Sequence, residues 1–454
     1  MSAFLIIFSL LLFIANIIFF AKKKYLYLFV PCMLFLPSYY GIEINSSLPL
    51  ITVTRMMFVV FYLYAFINKR RTLDIKNIHW SIIPRHYLLI GGYFIFRTVA
   101  NLYYIFTYSQ AIKTIFFMFF EQFLFLVALY LLAPTKQELN TLIKVIVSVA
   151  TVFFVIGILE SLTFIRPFDA LYTVSRHVMN EHYIRLGLLR ATTTFGMPGM
   201  FGNMCLLVLP LILYLFNLHQ QKRYLISIGL CILAIIHSGS RADILSLIIL
   251  MLIYFIYVLR DKAFRLLFAK RTLIILSSLL IFSTLASIAN PYYKFFYVGT
   301  AKSILNEVGF DFDIDSDAPD SNTEYGANSM RGSISRTRQL SGLIYTSRIN
   351  PLFGLGSGAQ NRKDVQYYWA NAWHKANTYD MGIVEIFCDE GILGLCGIIA
   401  IISSLYLLCK GNRNNFLFIC AYLLSTLNTV NMFSFLFLYI GLLIGAIQYI
   451  ESNH

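Results

Sequence analysis

The chain has 454 residues, 58% of them hydrophobic and only 13% charged, with a formal net charge of +14. Soluble domains carry about 25% charged residues, so a soluble enzyme or binding module is excluded. The apolar runs extend for about 20 residues, the length that crosses a bilayer as a helix, and they do not alternate as the strands of an outer-membrane barrel must.

In chain order, the runs 3–21, 25–40, 49–67, 86–106, 111–133, 142–165, 199–218, 224–239, 242–259, 272–290, 380–408 and 415–450 read as spans. The last is long enough for one tilted helix or for two short ones broken near Asn428 and Asn431, giving twelve or thirteen in all. The first run lacks a basic leader and a small-residue cleavage site, so it reads as a retained span. Lys22–Lys24, Lys69–Arg71, Lys136, Lys222–Arg223, 260–271, Lys410 and Arg413 gather between spans, which marks one side as cytoplasmic and explains the positive charge without nucleic acid. The other side then receives the N-terminus, residues 41–48, 107–110 and 166–198, the turn at Ser238–Arg241, and 291–379. The expected organisation is therefore spans over 1–165, an external loop over 166–198, spans over 199–290, a large external loop with short helices over 291–379, and spans over 380–454.

The seven cysteines lie in or beside apolar runs with no CxxC pair, and read as small buried hydrophobes rather than as a disulfide or zinc framework. Asp311, Asp313, Asp315, Asp317, Asp320 and Glu324 invite a calcium reading. An EF-hand needs Gly at its sixth position and Glu at its twelfth, where this chain has Ser316 and Asn322, so a solvated loop is the better reading.

The external arginines carry more information. Arg190 lies in Leu189-Arg190-Ala191-Thr192-Thr193-Thr194-Phe195-Gly196, and Arg241 in His237-Ser238-Gly239-Ser240-Arg241-Ala242-Asp243. Arg336 and Arg338 precede Asn350-Pro351-Leu352-Phe353-Gly354-Leu355-Gly356-Ser357-Gly358. A single one reads equally as an interfacial arginine that snorkels. Together, on the side that topology does not make basic, they suit a phosphate-bearing lipid, because guanidinium matches phosphate oxygens bidentately. Arg97, Glu121 and Glu160 fall in or near apolar runs, where a functional role and a structural ion pair both stay open.

His374 is the proton-transfer candidate, since an imidazole titrates near neutrality. Beside it, Tyr367, Tyr368, Trp369 and Trp373 suit either sugar faces or the membrane interface. Asn377, Glu385, Asp389 and Glu390 follow, before Gly391-Ile392-Leu393-Gly394.

These motifs resemble the bacterial O-antigen polymerase and ligase superfamily. The likeness rests on Ser238-Gly239-Ser240-Arg241 between two spans, on Arg190 followed by Thr194-Phe195-Gly196 and Pro198, and on Arg336, the Asn350–Gly356 segment, His374, Asn377 and Gly391–Gly394 in that order. The chain departs from the pattern where Lys375-Ala376 separates His374 from Asn377, and where Asn377 stands about one helical turn further from Gly391. The resemblance implies an all-α, GT-C-like membrane bundle acting at the periplasmic face of the bacterial inner membrane. It implies a glycosyltransferase that moves a glycan from a polyprenyl diphosphate to the hydroxyl of another lipid-linked repeat unit. The alternatives are a ligase that transfers to lipid A core, or a flippase or transporter of the same lipid-linked glycan. No cofactor or metal is implied, and inversion follows from direct displacement. Partners would be membrane lipids, a chain-length regulator and a flippase. Arg190, Arg241, Arg336 and Arg338 would bind the diphosphate; His374 and Arg241 would be catalytic; Tyr367, Tyr368, Trp369, Trp373, Asn377, Glu385, Asp389 and Glu390 would hold glycan.

Overall fold

The computed structural model describes residues 3–37, 40–44, 49–71, 84–171, 173, 184–259, 261–307, 310–314, 316, 319, 327–376, 379–410, 412–428 and 433–452, with the side chains of 3, 307, 327–337, 433 and 447–452 left aside. Asn377 lies outside the described residues, as do Asp315, Asp317, Asp320 and Glu324, and the Arg336 side chain is not described.

The N-terminal half consists of α1 (Ala3–Ala21), α2 (Tyr25–Phe35), α3 (Val53–Ile67), α4 (Arg85–Leu102), α5 (Ser109–Phe117), α6 (Leu124–Leu132) and α7 (Lys136–Thr163). A π-helical stretch, Met118–Phe123, joins α5 to α6 into one span, and Thr135 with Glu138 forms a capping box that starts α7. The central part has α8 (Pro198–His219), α9 (Lys222–His237), α10 (Arg241–Ile253), α11 (Lys262–Ala289), α12 (Pro291–Glu307), α13 (Ala327–Ile349) and the short α14 (Ala359–Arg362). The chain ends in α15 (Gly382–Cys409), α16 (Arg413–Asn428) and α17 (Phe433–Ser452), so the long final run holds two helices, α16 and α17. Strands come in antiparallel pairs: β1 (Gly41–Ile42) with β2 (Ile51–Thr52), β3 (Ile184–Arg185) with β4 (Leu188–Leu189), and β5 (Gln366–Trp369) with β6 (Ala372–Lys375).

Among the described residues, seven helices are long and apolar enough to cross a membrane, and three shorter apolar helices accompany them. This is a polytopic helical membrane protein. α8 is its centre, with residues 201–213 buried, whereas α11 presents Leu273, Leu280 and Leu285 outward as a lipid-facing helix must.

Hydrogen bonds between helix ends sort the loops to two ends of the bundle. The backbone N–H groups of Arg70 and Arg71 donate to Leu131 O, Arg271 donates to Gln220, Tyr214 to Asn140, Asn217 to Asn414, and Arg413 to Tyr257 O. The basic clusters from Lys69 to Arg413 therefore share one end. At the other end, Ala191 N donates to His237 O, Glu160 accepts from Thr192 and Thr193, and Asn428 Nδ2 donates to Asp243 Oδ1 at 2.9 Å. α15 runs away from this second end and α16 returns to it, so the segment that leads into α15 and the 238–241 turn share a face.

The closest helix pairing is antiparallel, α4 against α15. Gly92 faces Ala400, Gly397 faces Tyr93 and Arg97, and Ser404 Oγ donates to His86 O at 3.0 Å. Small residues allow this approach, which membranes favour because apolar burial alone does not join helices in lipid. Within the seam, Arg97 sends two hydrogen bonds of 2.6 Å to Glu390, with Tyr93 and Asn101 completing the network. The other charges in apolar runs are paired too: Glu121 with Arg55 at 2.7 Å, and Glu160 with Arg166 at 3.5 Å. The structural reading of all three thus has a partner, and in no case is that partner another of the three.

Candidate active site

The turn between α9 and α10 gathers arginines. Arg190 Nε donates to Ser238 O at 2.9 Å, and Arg185 Nη1 donates to Gly239 O at 2.8 Å. Arg241 is the first residue of α10. Gly239 has φ +62°, and a Cβ there would stand 3.0 Å from Arg190 Nε, so glycine serves both the turn and the guanidinium beside it. Both carbonyl acceptors are neutral. A cation at the start of a helix opposes the helix dipole, and the first N–H groups of a helix have no partner within it. Asp243, in the same first turn, suits that dipole, and such a helix start is a candidate place for an anion.

Several residues hold this turn in place. Leu186 and Gly187, both at positive φ, close the β3–β4 hairpin that brings Arg185 back beside Arg190. The Glu160 carboxylate accepts from Thr193 N at 2.8 Å and Thr192 Oγ1 at 2.9 Å, pinning the loop after Arg190. His237 is fully buried between Ser161 and Tyr297, each 3.0 Å away, and ties α7 and α12 to the end of α9. Gly202 of α8 lies where a Cβ would overlap the Asp243 carboxylate, so α8 packs directly on the first turn of α10. Sequence reading missed Arg185; its signal is the Leu186-Gly187 turn, which folds Arg185 onto the strand before Arg190.

A second group stands at the other part of the same face. The β5–β6 hairpin pairs Tyr367 with His374 and Tyr368 with Trp373. Strand alternation puts Tyr367, Trp369 and His374 on one side and Tyr368 and Trp373 on the other. His374 stacks on Trp369 at 3.9 Å, and Arg338 lies over the same ring at 5.7 Å. His374 Nε2 is buried with no hydrogen-bond partner. On the opposite side Trp373 meets Tyr368 at 5.3 Å and Tyr345 of α13 at 5.5 Å. Tyr367 is buried against Gly342 of α13, which removes it from a sugar-facing surface, and burial pushes its phenol pKa well up. Arg190 and Arg241 are thus together at one turn, and Arg338 and His374 are together on Trp369; the two groups stand on separate elements.

The glycine-rich segment has a different task. At Gly391, α15 breaks with φ +64° and ψ −152°, a conformation for glycine alone. In an unbroken helix Ile392 N and Leu393 N would donate to Cys388 O and Asp389 O. Here the loop supplies all the missing partners. Leu355 N donates to Cys388 O and Gly356 N to Asp389 O, at 2.8 and 2.9 Å, while Ile392 N donates to Pro351 O and Leu393 N to Leu352 O, at 2.9 and 3.3 Å. A Cβ on Gly354 or Gly391 would collide with the facing backbone. Asp389 accepts from Gly358 N at 2.7 Å and Tyr379 Oη at 3.0 Å, and Arg362 donates to the carbonyls of Ser357, Leu355 and Gly356. Burial and the neighbouring Asp389 push the Tyr379 phenol pKa far up, which keeps it a donor. Asp389 and Glu390 are thus engaged inside the fold, by Tyr379 and Gly358 and by Arg97 and Asn101. Glu385, one turn before Asp389, is half-buried, and its carboxylate has no hydrogen bond or ion pair among the described residues.

Fold and site together define a polytopic membrane protein with an arginine-bearing turn and an aromatic hairpin on one face. Residues 226–399 match the O-antigen ligase family, and the chain carries a domain of that family over this stretch. It runs from α9 through the arginine turn, the loop, the hairpin and the kink. Arg241, Arg338, His374, Glu385, Asp389 and Glu390 fall inside it; Arg185 and Arg190 fall outside. No curated protein matches the chain. Members of the family are lipid-linked glycan transferases of the O-antigen ligase or polymerase type.

Proposed function

We propose that this protein is a glycan polymerase of the bacterial cytoplasmic membrane. It would move an oligosaccharide from a polyprenyl diphosphate to a sugar hydroxyl of a second lipid-linked repeat unit. The observation that carries the reading is the gathering of Arg185, Arg190 and Arg241 at the start of α10, on the end of the bundle opposite the basic clusters. By the positive-inside rule that end is periplasmic. As the glycosidic bond breaks, the diphosphate gains negative charge, and guanidinium groups preorganised beside it stabilise the transition state. Arg336 and Arg338 stand on α13, where Arg338 meets the aromatic hairpin and reaches the glycan rather than the turn.

In this reading His374 takes the proton of the attacking hydroxyl through its unpartnered Nε2, with Trp369 fixing the plane of the ring. Oxygen attacks the anomeric carbon as the carbon–oxygen bond to phosphate breaks, and the electron pair leaves with the diphosphate. Direct displacement inverts the anomeric centre. Trp369, Trp373 and Tyr368 line the sugar path, and Glu385 is the carboxylate of α15 that remains to contact glycan. Asp389 and Glu390 support the site from within.

Polymerase is preferred because the family's motifs are matched loosely, with Lys375-Ala376 between His374 and Asn377, as suits the more divergent class. Ligase is the second reading, favoured by the description of the matching family. Gene deletion separates them: single repeat units on lipid A core mean a polymerase, and accumulated lipid-linked polymer means a ligase. Purified protein supplied with lipid-linked repeat units in detergent tests the enzyme reading. A ladder of products lost in Arg241→Ala supports it, whereas no product in detergent but movement across vesicles identifies a carrier.

A further inference from the structure

Between the end of α4 and the α13–hairpin unit lies a cleft of about 400 Å³ that none of the roles above uses. Its walls include Tyr104 and Tyr108 from the α4–α5 junction, Tyr345 from α13, Leu355 from the loop, Lys363, and Gln366 from β5. Sites for small ligands typically span about 300–1,000 Å³ and combine apolar walls with a few convergent polar groups. This cleft does so. Tyr104 is already committed, donating to Gly354 O at 2.6 Å and accepting from Asn350. The Tyr108 and Tyr345 hydroxyls, the Lys363 ammonium and the Gln366 amide have no hydrogen-bond partner among the described residues. Their rings are nevertheless fixed: Tyr108 by Arg362 at 3.6 Å and by Tyr104 at 5.5 Å, Tyr345 by Trp373 at 5.5 Å.

Rigid aromatic rings with free hydroxyls, an amide that both donates and accepts, and one ammonium are complementary to a hydroxyl-rich sugar. They are less complementary to phosphate, because Asp364 stands on the same wall as Lys363 and there is no guanidinium fork free, Arg362 being spent on Asp364 and loop carbonyls. The cleft opens on the same end of the bundle as the arginine turn. We propose that it is a carbohydrate subsite for sugar residues set back from the reacting bond. The proposal rests on the glycan-transfer reading, and the chain it holds is either the donor's or the acceptor's.

The test uses the full chain in detergent and, as probe, the lipid-free oligosaccharide released by mild acid from the host's own lipid-linked repeat units. Binding is read by tryptophan fluorescence, since Trp373 touches Tyr345. Tyr345→Phe and Gln366→Ala are expected to weaken binding about tenfold each, whereas Arg241→Ala leaves it within about twofold while slowing transfer about 10²–10³-fold. Tyr108→Phe keeps the ring under Arg362 and removes only the hydroxyl, so it guards against loss through misfolding. In transfer assays the KM that rises identifies the source: the donor's if the cleft holds the leaving chain, the acceptor's if it holds the attacking one. Wild-type transfer with unchanged binding and unchanged KM values in all three variants overturns the subsite and leaves the glycan-transfer reading standing. Absence of both binding and transfer in the wild type overturns both.

Discussion

The turn at 238–241 and the kink at Gly391 look alike in the sequence. Each is a glycine within two residues of a charged side chain in an apolar chain. In the structure they are opposites. At the kink, Glu390 meets Arg97, Asp389 meets Tyr379 and Gly358, and the loop returns each backbone bond the helix gives up. At the turn, Arg185 and Arg190 donate to neutral carbonyls, and Arg241 sits where the helix dipole disfavours it. Charge answered from within the chain describes a joint. Arginines gathered on the carbonyls of one turn at a helix start describe a candidate anion site.

That contrast can be broken. The largest effect is expected at the kink: Glu390→Ala leaves Arg97, only 7% exposed, without its carboxylate. A loss of about 3–5 kcal/mol is expected, seen as a lower melting temperature in detergent, and Arg97→Met combined with Glu390→Leu should recover most of it. If Glu390→Ala melts like the wild type yet does not transfer glycan, Glu390 belongs to the chemistry and the contrast fails. Next comes Arg241→Ala, for which a drop in kcat of about 10²–10³-fold is expected, the range for removing one electrostatic stabiliser. Its melting temperature should stay near that of the wild type; unfolding instead would make the arginine structural.

Gly391→Ala should cost about 1–3 kcal/mol of stability from backbone strain alone, and more if Leu352 O cannot move away from the new Cβ. Unchanged melting would show that the kink relaxes. The smallest effect is expected at Arg185, outside the matched family stretch. Losing one charge-assisted bond, about 1.5 kcal/mol, should lower the transfer rate roughly tenfold, with Arg185→Lys intermediate. A normal rate in Arg185→Ala would reduce the turn to Arg190 and Arg241.

Two of the candidate arginines were legible because order along the chain carried them. Arg190 and Arg241 read as external from the basic loops around them, and both do reach one turn. Arg185 was not legible, because only the Leu186-Gly187 reversal brings it back. Tyr367, Asp389 and Glu390 read as glycan ligands because aromatic and acidic residues near a helix start look alike whether they face a ligand or a neighbour. Burial against Gly342, Tyr379 and Arg97 decided otherwise.

The sequence by itself determined the class of protein, the clustering of its basic loops and its punctuation. Hydrophobic length and the placement of lysine and arginine are local quantities, and the bilayer reads them locally. Which charges meet a partner from a distant segment was decided only by tertiary structure. Glu385, one turn before Asp389 on α15, has the same chemistry and different surroundings, and for Glu390 the partner, Arg97, comes from 293 residues away. Pairing is a property of space, and a chain folded through a membrane brings distant residues together in ways that spacing does not record.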